Sequence, residues 1–136
     1  MKYIVIPFLS WIIAGSCKFL INYFRFGKKA TNLIGYGGFP STHITIISSA
    51  VFLYGIENGI ENGIFSIAIA FLLITIIDAH GLRRKVGNQA RVINLLQIHQ
   101  KMESPIILRE RMGHTWFEIL GGLILGIIIA FGISRI

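Results

Sequence analysis

Two short polar motifs, each followed by an apolar stretch, carry the residue types that could do chemistry. The first is GGFPSTH at residues 37–43, and the second is RERMGHTWFE at residues 109–118. Each motif places a histidine, His43 or His114, near the start of a predicted helix. The first N–H groups of a helix have no internal partner and its dipole favours negative charge, so this position suits an anion. Histidines beside hydroxyl and basic side chains therefore predict a phosphate ester as substrate.

The spacing of His114 and Glu118 predicts a histidine that is oriented by a carboxylate. Residues four apart lie one turn from each other on the same face of a helix. A carboxylate at that position can accept the Nδ1 proton, which leaves the other ring nitrogen free to attack. The pair therefore predicts a nucleophile and its orienting group.

Two cations in the first apolar stretch match this phosphate chemistry. Lys18 and Arg25 are seven residues, or two helical turns, apart, which places them on one face and about 10 Å apart along the axis. Lys18 lies within the apolar stretch, and a charged group inside a membrane is a functional candidate by default. Its long side chain can extend towards the surface where Arg25 lies.

The composition is that of an integral membrane protein. The 136 residues are 54% hydrophobic and 14% charged, whereas soluble domains have about 25% charged residues. Four stretches are apolar and long enough to cross a bilayer, or nearly so, at ~20 residues per helix. The sequence thus predicts an all-α bundle of four to five transmembrane helices, forming one membrane-embedded domain over residues 1–136. The four stretches cover residues 3–24, 43–56, 64–79 and 116–133.

Turn and cap signals divide these stretches. A glycine-rich segment, residues 35–38, leads to Pro40, and Ser41 or Thr42 can cap a helix that starts near His43. The repeat IENGIENG at residues 56–63 predicts turns. The third helix is predicted to end at residues 78–84, and the fourth carries small residues that allow close helix packing, namely Gly121, Gly122 and Gly126.

The link over residues 81–113 is the one long hydrophilic segment. It contains apolar residues at the spacing of an amphipathic helix, and Pro105 ends that pattern. Such a segment is expected to lie along the membrane interface or to cover the site from the water side. The apolar residues are Val92, Ile93, Leu95, Leu96, Ile98 and Met102.

The distribution of charge predicts a topology and argues against nucleic acid as a partner. The net charge is +7, with basic residues at Arg25, Lys28 and Lys29 in the first link and seven more in the third, between Arg83 and Arg111. The second link has none. Because basic links face the cytoplasm, both termini are predicted outside, and the site on the cytoplasmic side of the cell membrane. No aromatic residues alternate with the basic ones as they do on single-strand platforms.

Taken together, the motifs resemble a known superfamily. The pair Lys18 and Arg25, the sequence PSTH at residues 40–43, and His114 with an acid four residues later look like the three motifs of the type 2 phosphatidic acid phosphatase and vanadium haloperoxidase superfamily. The chain is most similar to its small divergent branch, the acid phosphatase/haloperoxidase-related membrane proteins. It departs from the usual pattern at four positions: Phe26 replaces Pro, Thr42 replaces Gly, Leu108 stands where the third motif usually has its Arg, and Glu118 replaces Asp.

The resemblance implies a two-step mechanism without a metal or other cofactor. His114 attacks the phosphorus and becomes a phosphohistidine, Glu118 orients it, and His43 protonates the leaving group and then activates water. Either Arg109 or Arg111 serves as the arginine of the third motif. The phosphate oxygens are held by Lys18, Arg25, Ser41, Thr42 and that arginine.

Residues near the third helix are open to two interpretations. Asp78 with Arg83 and Arg84 forms either an ion pair that closes the helix or a contact that supports the site or a lipid headgroup. His80 and His99 are expected to be surface residues. The lone Cys17 excludes an internal disulfide.

The predicted substrate is a membrane lipid phosphate, such as phosphatidate, phosphatidylglycerophosphate, or a polyprenyl phosphate or diphosphate, and a homo-oligomer is left open. One alternative is a catalytically silent lipid-binding or scaffold protein. A less favoured one is a divalent-metal transporter, whose ligands would be His43, Asp78, His80, His114 and Glu118.

Overall fold

Within residues 1–27 and 38–136, which the computed structural model describes, every regular element is a helix. Lys28 and Lys29 of the topology argument and Gly37 of the first motif lie outside the described residues. The all-helical prediction is confirmed. The helices are α1 (Lys2–Phe26), α2 (Thr42–Asn58), α3 (Gly63–Ile77), α4 (Arg83–His99) and α5 (Trp116–Ser134).

In the part of the chain that the structure describes, three helical stretches are long and apolar enough to cross a membrane: α1, α5, and a continuous stretch from Gly63 to His99. The remaining predicted span, the second along the chain, corresponds to α2, which has 17 residues. The predicted count of four to five spans is roughly compatible with this arrangement. The third span differs most from the prediction, since it runs on into the hydrophilic link.

The core forms where α2 packs against its neighbours. One apolar cluster joins α1, α2 and α5, and a second joins α2, α3 and α5. Hydroxyl groups supplement this packing, since Ser10 Oγ of α1 donates to Ser49 Oγ of α2 over 2.7 Å in a buried position. The buried members are Ile6, Leu53, Ile129 and Ala130 in the first cluster and Ile44, Val51, Leu72 and Ile119 in the second.

The glycines of α5 allow a close approach of α2, as the small-residue pattern predicts. A Cβ added at Gly122 would lie 2.7 Å from the carbonyl oxygen of Ser41, and one added at Gly126 would overlap the hydroxyl of Ser48. Gly121 faces the ring of Phe39 in the same way. The start of α2 is therefore pressed against the first half of α5.

Contacts at the far ends of α1 and α2 establish that these helices run antiparallel. Lys2 Nζ lies 2.8 Å from Glu57 Oε1, and the side chain of Asn58 donates to the hydroxyl of Tyr3. The end of α1 that carries Arg25 is consequently the end at which α2 begins.

The predicted end of the third helix at residues 78–84 is wrong. The chain continues through a π-helical turn, Asp78–Leu82, directly into α4. The N–H of Arg83 bonds to the carbonyl of Asp78, five residues back, and the residues flanking the turn, Ile77 and Arg83, keep helical dihedral angles. Gly81 is compatible with a helix, although it is unfavourable there, and nothing else in the turn stops it. The predicted amphipathic segment is α4.

Two amide side chains of α4 hold the extended segment that follows it. Asn94 accepts from the N–H of Leu108 at 2.8 Å and donates to its carbonyl at 2.9 Å. Gln97 makes the same pair of bonds with Ile106, at 2.8 and 3.0 Å. Gly87 has no side chain to obstruct the backbone where the segment passes it. Because of these contacts, the segment after α4 runs back along that helix and brings the second motif next to the π turn.

Candidate functional site

The site forms where the starts of α2 and α5 meet the π turn, with Lys18 facing it from α1. His114 is at its centre and is buried, with 8% of its surface exposed. Its Nδ1 lies 3.0 Å from Glu118 Oε2. The spacing of four residues predicts this contact.

The local structure around the pair differs from the expected single helical face. His114 precedes α5, whose N-cap is Thr115. Glu118 at the third helical position folds back and accepts from the N–H of Thr115 at 2.9 Å, while Thr115 Oγ1 accepts from the N–H of Glu118 at 3.4 Å. This capping box fixes the carboxylate, and the same oxygen, Oε2, faces His114.

The main chain of His114 is attached to the π turn. Its N–H donates to the carbonyl of Ala79 at 2.9 Å, and its carbonyl lies 3.2 Å from His80 Nδ1. Gly113 makes this approach feasible, because it adopts φ +81° and a Cβ there would lie 2.9 Å from both Ala79 O and Arg84 N.

The first motif joins the second through the backbone. The N–H of Ser41 donates to the carbonyl of Glu118 at 2.9 Å. Ser41 is the N-cap of α2 and makes no side-chain cap bond. Its hydroxyl is fully buried and, within residues 1–27 and 38–136, has no hydrogen-bond partner. A buried hydroxyl without a partner is costly, so Ser41 is a ready donor for a ligand at this helix start.

The charges of the region act on one another. His43 lies within electrostatic range of four groups, and Lys18 within range of Glu118. Asp78 and Arg83 form an ion pair, with 2.6 Å between Oδ2 and Nε. The ion pair is therefore present, but it does not close the helix, which continues into α4. Arg83 also acts on both histidines. The groups acting on His43 are Arg83, His114, Lys18 and Asp78.

Burial lowers the pKa of His114 below its ordinary value, since desolvation penalises the charged ring. The cations Lys18 and Arg83 lower this pKa further, while the hydrogen bond and charge of Glu118 act in the opposite direction. The balance favours the neutral imidazole, which is the nucleophilic form.

Sequence comparison with known proteins identifies a family. Residues 1–129 match the sequence profile of the Divergent PAP2 family. The chain belongs to this family. It is also 31% identical over 107 residues to the uncharacterized membrane protein YuiD of Bacillus subtilis (strain 168), with 68% of each chain covered. No solved structure matches it significantly.

Family membership confirms the resemblance drawn from the three motifs. With its membrane-protein relative and its three candidate spans, it establishes this member of the Divergent PAP2 family as a multi-pass membrane protein.

Apart from the buried Ser41, the predicted phosphate-binding residues are more open to solvent than His114. Thr42 is half-buried in the first turn of α2, next to His43, which is exposed. Arg109 Nε donates to the carbonyl of Arg111 at 3.2 Å. The exposed basic residues are Arg25 at the end of α1, Arg84 beside Gly113, and both Arg109 and Arg111.

His80 is the residue that the sequence interpretation placed wrongly. It is half-buried and not a surface residue, since its Nδ1 faces the carbonyl of His114 and its ring lies 4.5 Å from that of Trp116. The available signal was its position directly after Asp78 and Ala79, at the polar end of an apolar helix. The contact between His80 and His114 joins residues 34 positions apart in the sequence, and a local pattern cannot predict such a contact.

Zinc and similar metal sites need several His, Cys, Asp or Glu side chains that converge on one point. Within residues 1–27 and 38–136, no group of three or more His, Cys, Asp or Glu side chains is arranged to hold a metal ion. The transporter interpretation therefore gains no donor cluster from the described part of the chain.

Proposed function

We propose that this protein is a membrane lipid phosphatase that hydrolyses a phosphomonoester or diphosphate through a phosphohistidine. The observation that carries the proposal is the buried His114 with Nδ1 at 3.0 Å from Glu118 Oε2. A carboxylate at this distance accepts the Nδ1 proton, so Nε2 is the nitrogen that can attack. Family membership supports the same chemistry.

In the first step, Nε2 of His114 forms a bond to phosphorus while the bond from phosphorus to the leaving oxygen breaks. His43 donates a proton to that oxygen. The ring of His114 becomes positively charged, and the carboxylate of Glu118 stabilises this charge. The electrostatic coupling between His43 and His114 supports a shared site for the two rings.

In the second step, His43 takes a proton from a water molecule whose oxygen attacks phosphorus, and the bond between phosphorus and Nε2 breaks. Free phosphate leaves and His114 returns to its neutral form. The same residue thus serves as acid and then as base, as a two-step displacement requires.

Cations and donors around His114 hold the phosphate oxygens, whose charge is the main electrostatic demand of phosphoryl transfer. Lys18 is half-buried and acts electrostatically on Glu118 and on both histidines. The unpartnered hydroxyl of Ser41 supplies a donor at the start of α2. The remaining ligands are Arg25, Thr42, and either Arg109 or Arg111.

The substrate class follows from the location of the site in a multi-pass membrane protein. A lipid phosphate keeps its apolar tail among the helices and presents its phosphate at their polar ends. We place the site on the cytoplasmic side of the cell membrane, since the third link is basic and the second is not. A cysteine introduced near Lys101 should then label from the cytoplasm, and one near Asn58 from outside.

The deciding experiment measures phosphate release by the purified protein in detergent. The panel contains phosphatidate, phosphatidylglycerophosphate, a polyprenyl phosphate and a polyprenyl diphosphate, each with and without chelator. His114→Ala should abolish release, whereas His99→Ala, a change of an exposed histidine in α4, should retain it. Release that is lost in chelator and restored by magnesium would contradict a metal-free mechanism. Vanadate binding without release from any lipid would instead indicate a silent lipid-binding protein.

A further inference from the structure

Both main-chain polar groups of His114 are held by consecutive residues of the π turn. Ala79 accepts from the N–H of His114 at 2.9 Å, and His80 Nδ1 lies 3.2 Å from its carbonyl. A carbonyl oxygen can only accept, so Nδ1 of His80 must carry the proton. His80 therefore acts here as a donor, with its proton on a defined nitrogen.

The ring of His80 is itself held in place. It packs against the ring of Trp116, with 4.5 Å between centroids and 32° between planes. Trp116 is the first residue of α5, directly after the N-cap Thr115. The imidazole thus lies against the start of the helix whose capping box fixes Glu118.

We infer that His80 is a positioning residue, which acts on the chemistry of the site through the main chain of His114. With Ala79 it holds the peptide groups on either side of the His114 Cα and so sets the direction of that side chain towards Glu118. A change of about 1 Å in such a geometry can reduce a rate by about 10²-fold. The inference rests on the proposed function for its effect on turnover, but not for its effect on the ring of His114.

A pair of substitutions separates the hydrogen bond of His80 from its packing. His80→Asn places an amide N–H close to where Nδ1 stands and removes the ring. His80→Phe keeps a ring against Trp116 and removes the donor. We expect His80→Phe to lower kcat between about 10- and 100-fold with little change in KM, and His80→Asn to restore most of it. The matched control is His99→Phe in α4, which should behave as wild type.

A second measurement does not depend on turnover. In protein labelled with ¹⁵N-histidine, there are four rings to assign, and His114→Gln identifies the signals of His114. We expect both His80 and His114 to carry the proton on Nδ1. In His80→Phe the His114 signals should shift towards the Nε2-protonated form, because its contact with Glu118 loosens, whereas His80→Asn and His99→Phe should leave them in place.

The outcomes distinguish this inference from the proposed function. Wild-type turnover together with unchanged His114 signals in His80→Phe would overturn the positioning role. Loss in His80→Asn with normal turnover in His80→Phe would show that packing against Trp116, and not the hydrogen bond, is what matters. Equal loss in both variants would show that the donor alone does not restore the site. Either result would also overturn the positioning role. If wild-type protein releases no phosphate from any lipid, the proposed function fails and the nitrogen signals alone decide the role of His80.

Discussion

The backbone N–H of Ser41 donates to the backbone carbonyl of Glu118 across 2.9 Å. Glu118 therefore contacts both motifs, the first through its carbonyl and the second through its carboxylate, which lies 3.0 Å from His114 Nδ1. Gly122 permits this contact, because a Cβ there would lie 2.7 Å from the carbonyl oxygen of Ser41. The relative placement of α2 and α5 thus depends on the main chain of Glu118, and the state of His114 on its side chain.

This division of roles makes Glu118→Gln an informative change. The amide retains an oxygen that can accept from the N–H of Thr115, so the helix start and the Ser41 contact should persist. The negative charge that stabilises the ring of His114 is lost, and we expect kcat to fall by about 10²- to 10⁴-fold. Phosphate release gives the rate, and thermal unfolding in detergent shows that the fold is retained. A rate within a few fold of wild type would remove Glu118 as the orienting group.

Much of the site could be predicted because the deciding contacts are local. The contact of His114 with Glu118 follows from a spacing of four residues, although a capping box delivers it where a shared helical face was expected. The predicted start of α2 near His43 is also confirmed, at Thr42. Pro40 and Ser41 are short-range signals with a direct physical cause.

The contacts that the sequence did not predict span long separations or lack a local signature. The π turn has no characteristic residue pattern, so the continuation of α3 into α4 was missed and His80 was assigned to the surface. Asn94 and Gln97 bond an extended segment nine to fourteen residues further on. The sequence does carry a sign of these bonds, because Asn94 and Gln97 lie on the same face of α4 as the small residues Gly87 and Ala90.

Gly113→Ala should destabilise the protein, while Gly81→Ala should not. Gly113 has φ +81° and lies against Ala79 and Arg84, and a left-handed conformation costs an L-residue roughly 1–2 kcal/mol before any clash. Gly81 lies in the π turn with nothing within 4 Å of an added Cβ, so alanine there should be neutral or stabilise by about 0.4–1 kcal/mol. Thermal unfolding of both variants in one detergent makes the comparison. Equal stability would show that Gly113 is not held against the π turn.

Two glycines of α5 offer a matched test of its packing against α2. Gly126→Ala forces a methyl group against Ser48 and Ser49, and overpacking of this kind costs roughly 1–3 kcal/mol. Gly132→Ala, on the same helix with nothing within 4 Å, should gain about 0.5–1 kcal/mol from the better helix former. The measurement is again the unfolding temperature. A stable Gly126→Ala variant would mean that α2 and α5 are further apart than described.

The pH dependence of kcat/KM should report the ionisation of His114. Burial, followed by the cations Lys18 and Arg83, lowers its pKa from the ordinary value of 6.5, and Glu118 only partly opposes this. The neutral ring is the nucleophile, so activity should persist as the pH falls through 6.5 and decline only below it. The free energy of unfolding should also fall as the pH falls, because the unfolded chain binds a proton at His114 more readily than the folded one. The contribution of His114 to the free energy of unfolding is fully present above pH 6.5, and it is lost as the pH falls through the lower pKa of the folded protein.

Two variants should shift the acidic limb of the pH–rate profile, where activity declines at low pH, in opposite directions. Glu118→Gln removes the group that raises the pKa of His114, so the limb should shift to lower pH in the activity that remains. Arg83→Gln removes a cation that lowers it, so the limb should shift towards 6.5. Arg83 also pairs with Asp78 at 2.6 Å, and Asp78 acts on the neighbouring His43 in the same direction. Rate profiles recorded at fixed ionic strength measure both shifts, and a limb that moves the same way in both variants would show that another group controls it.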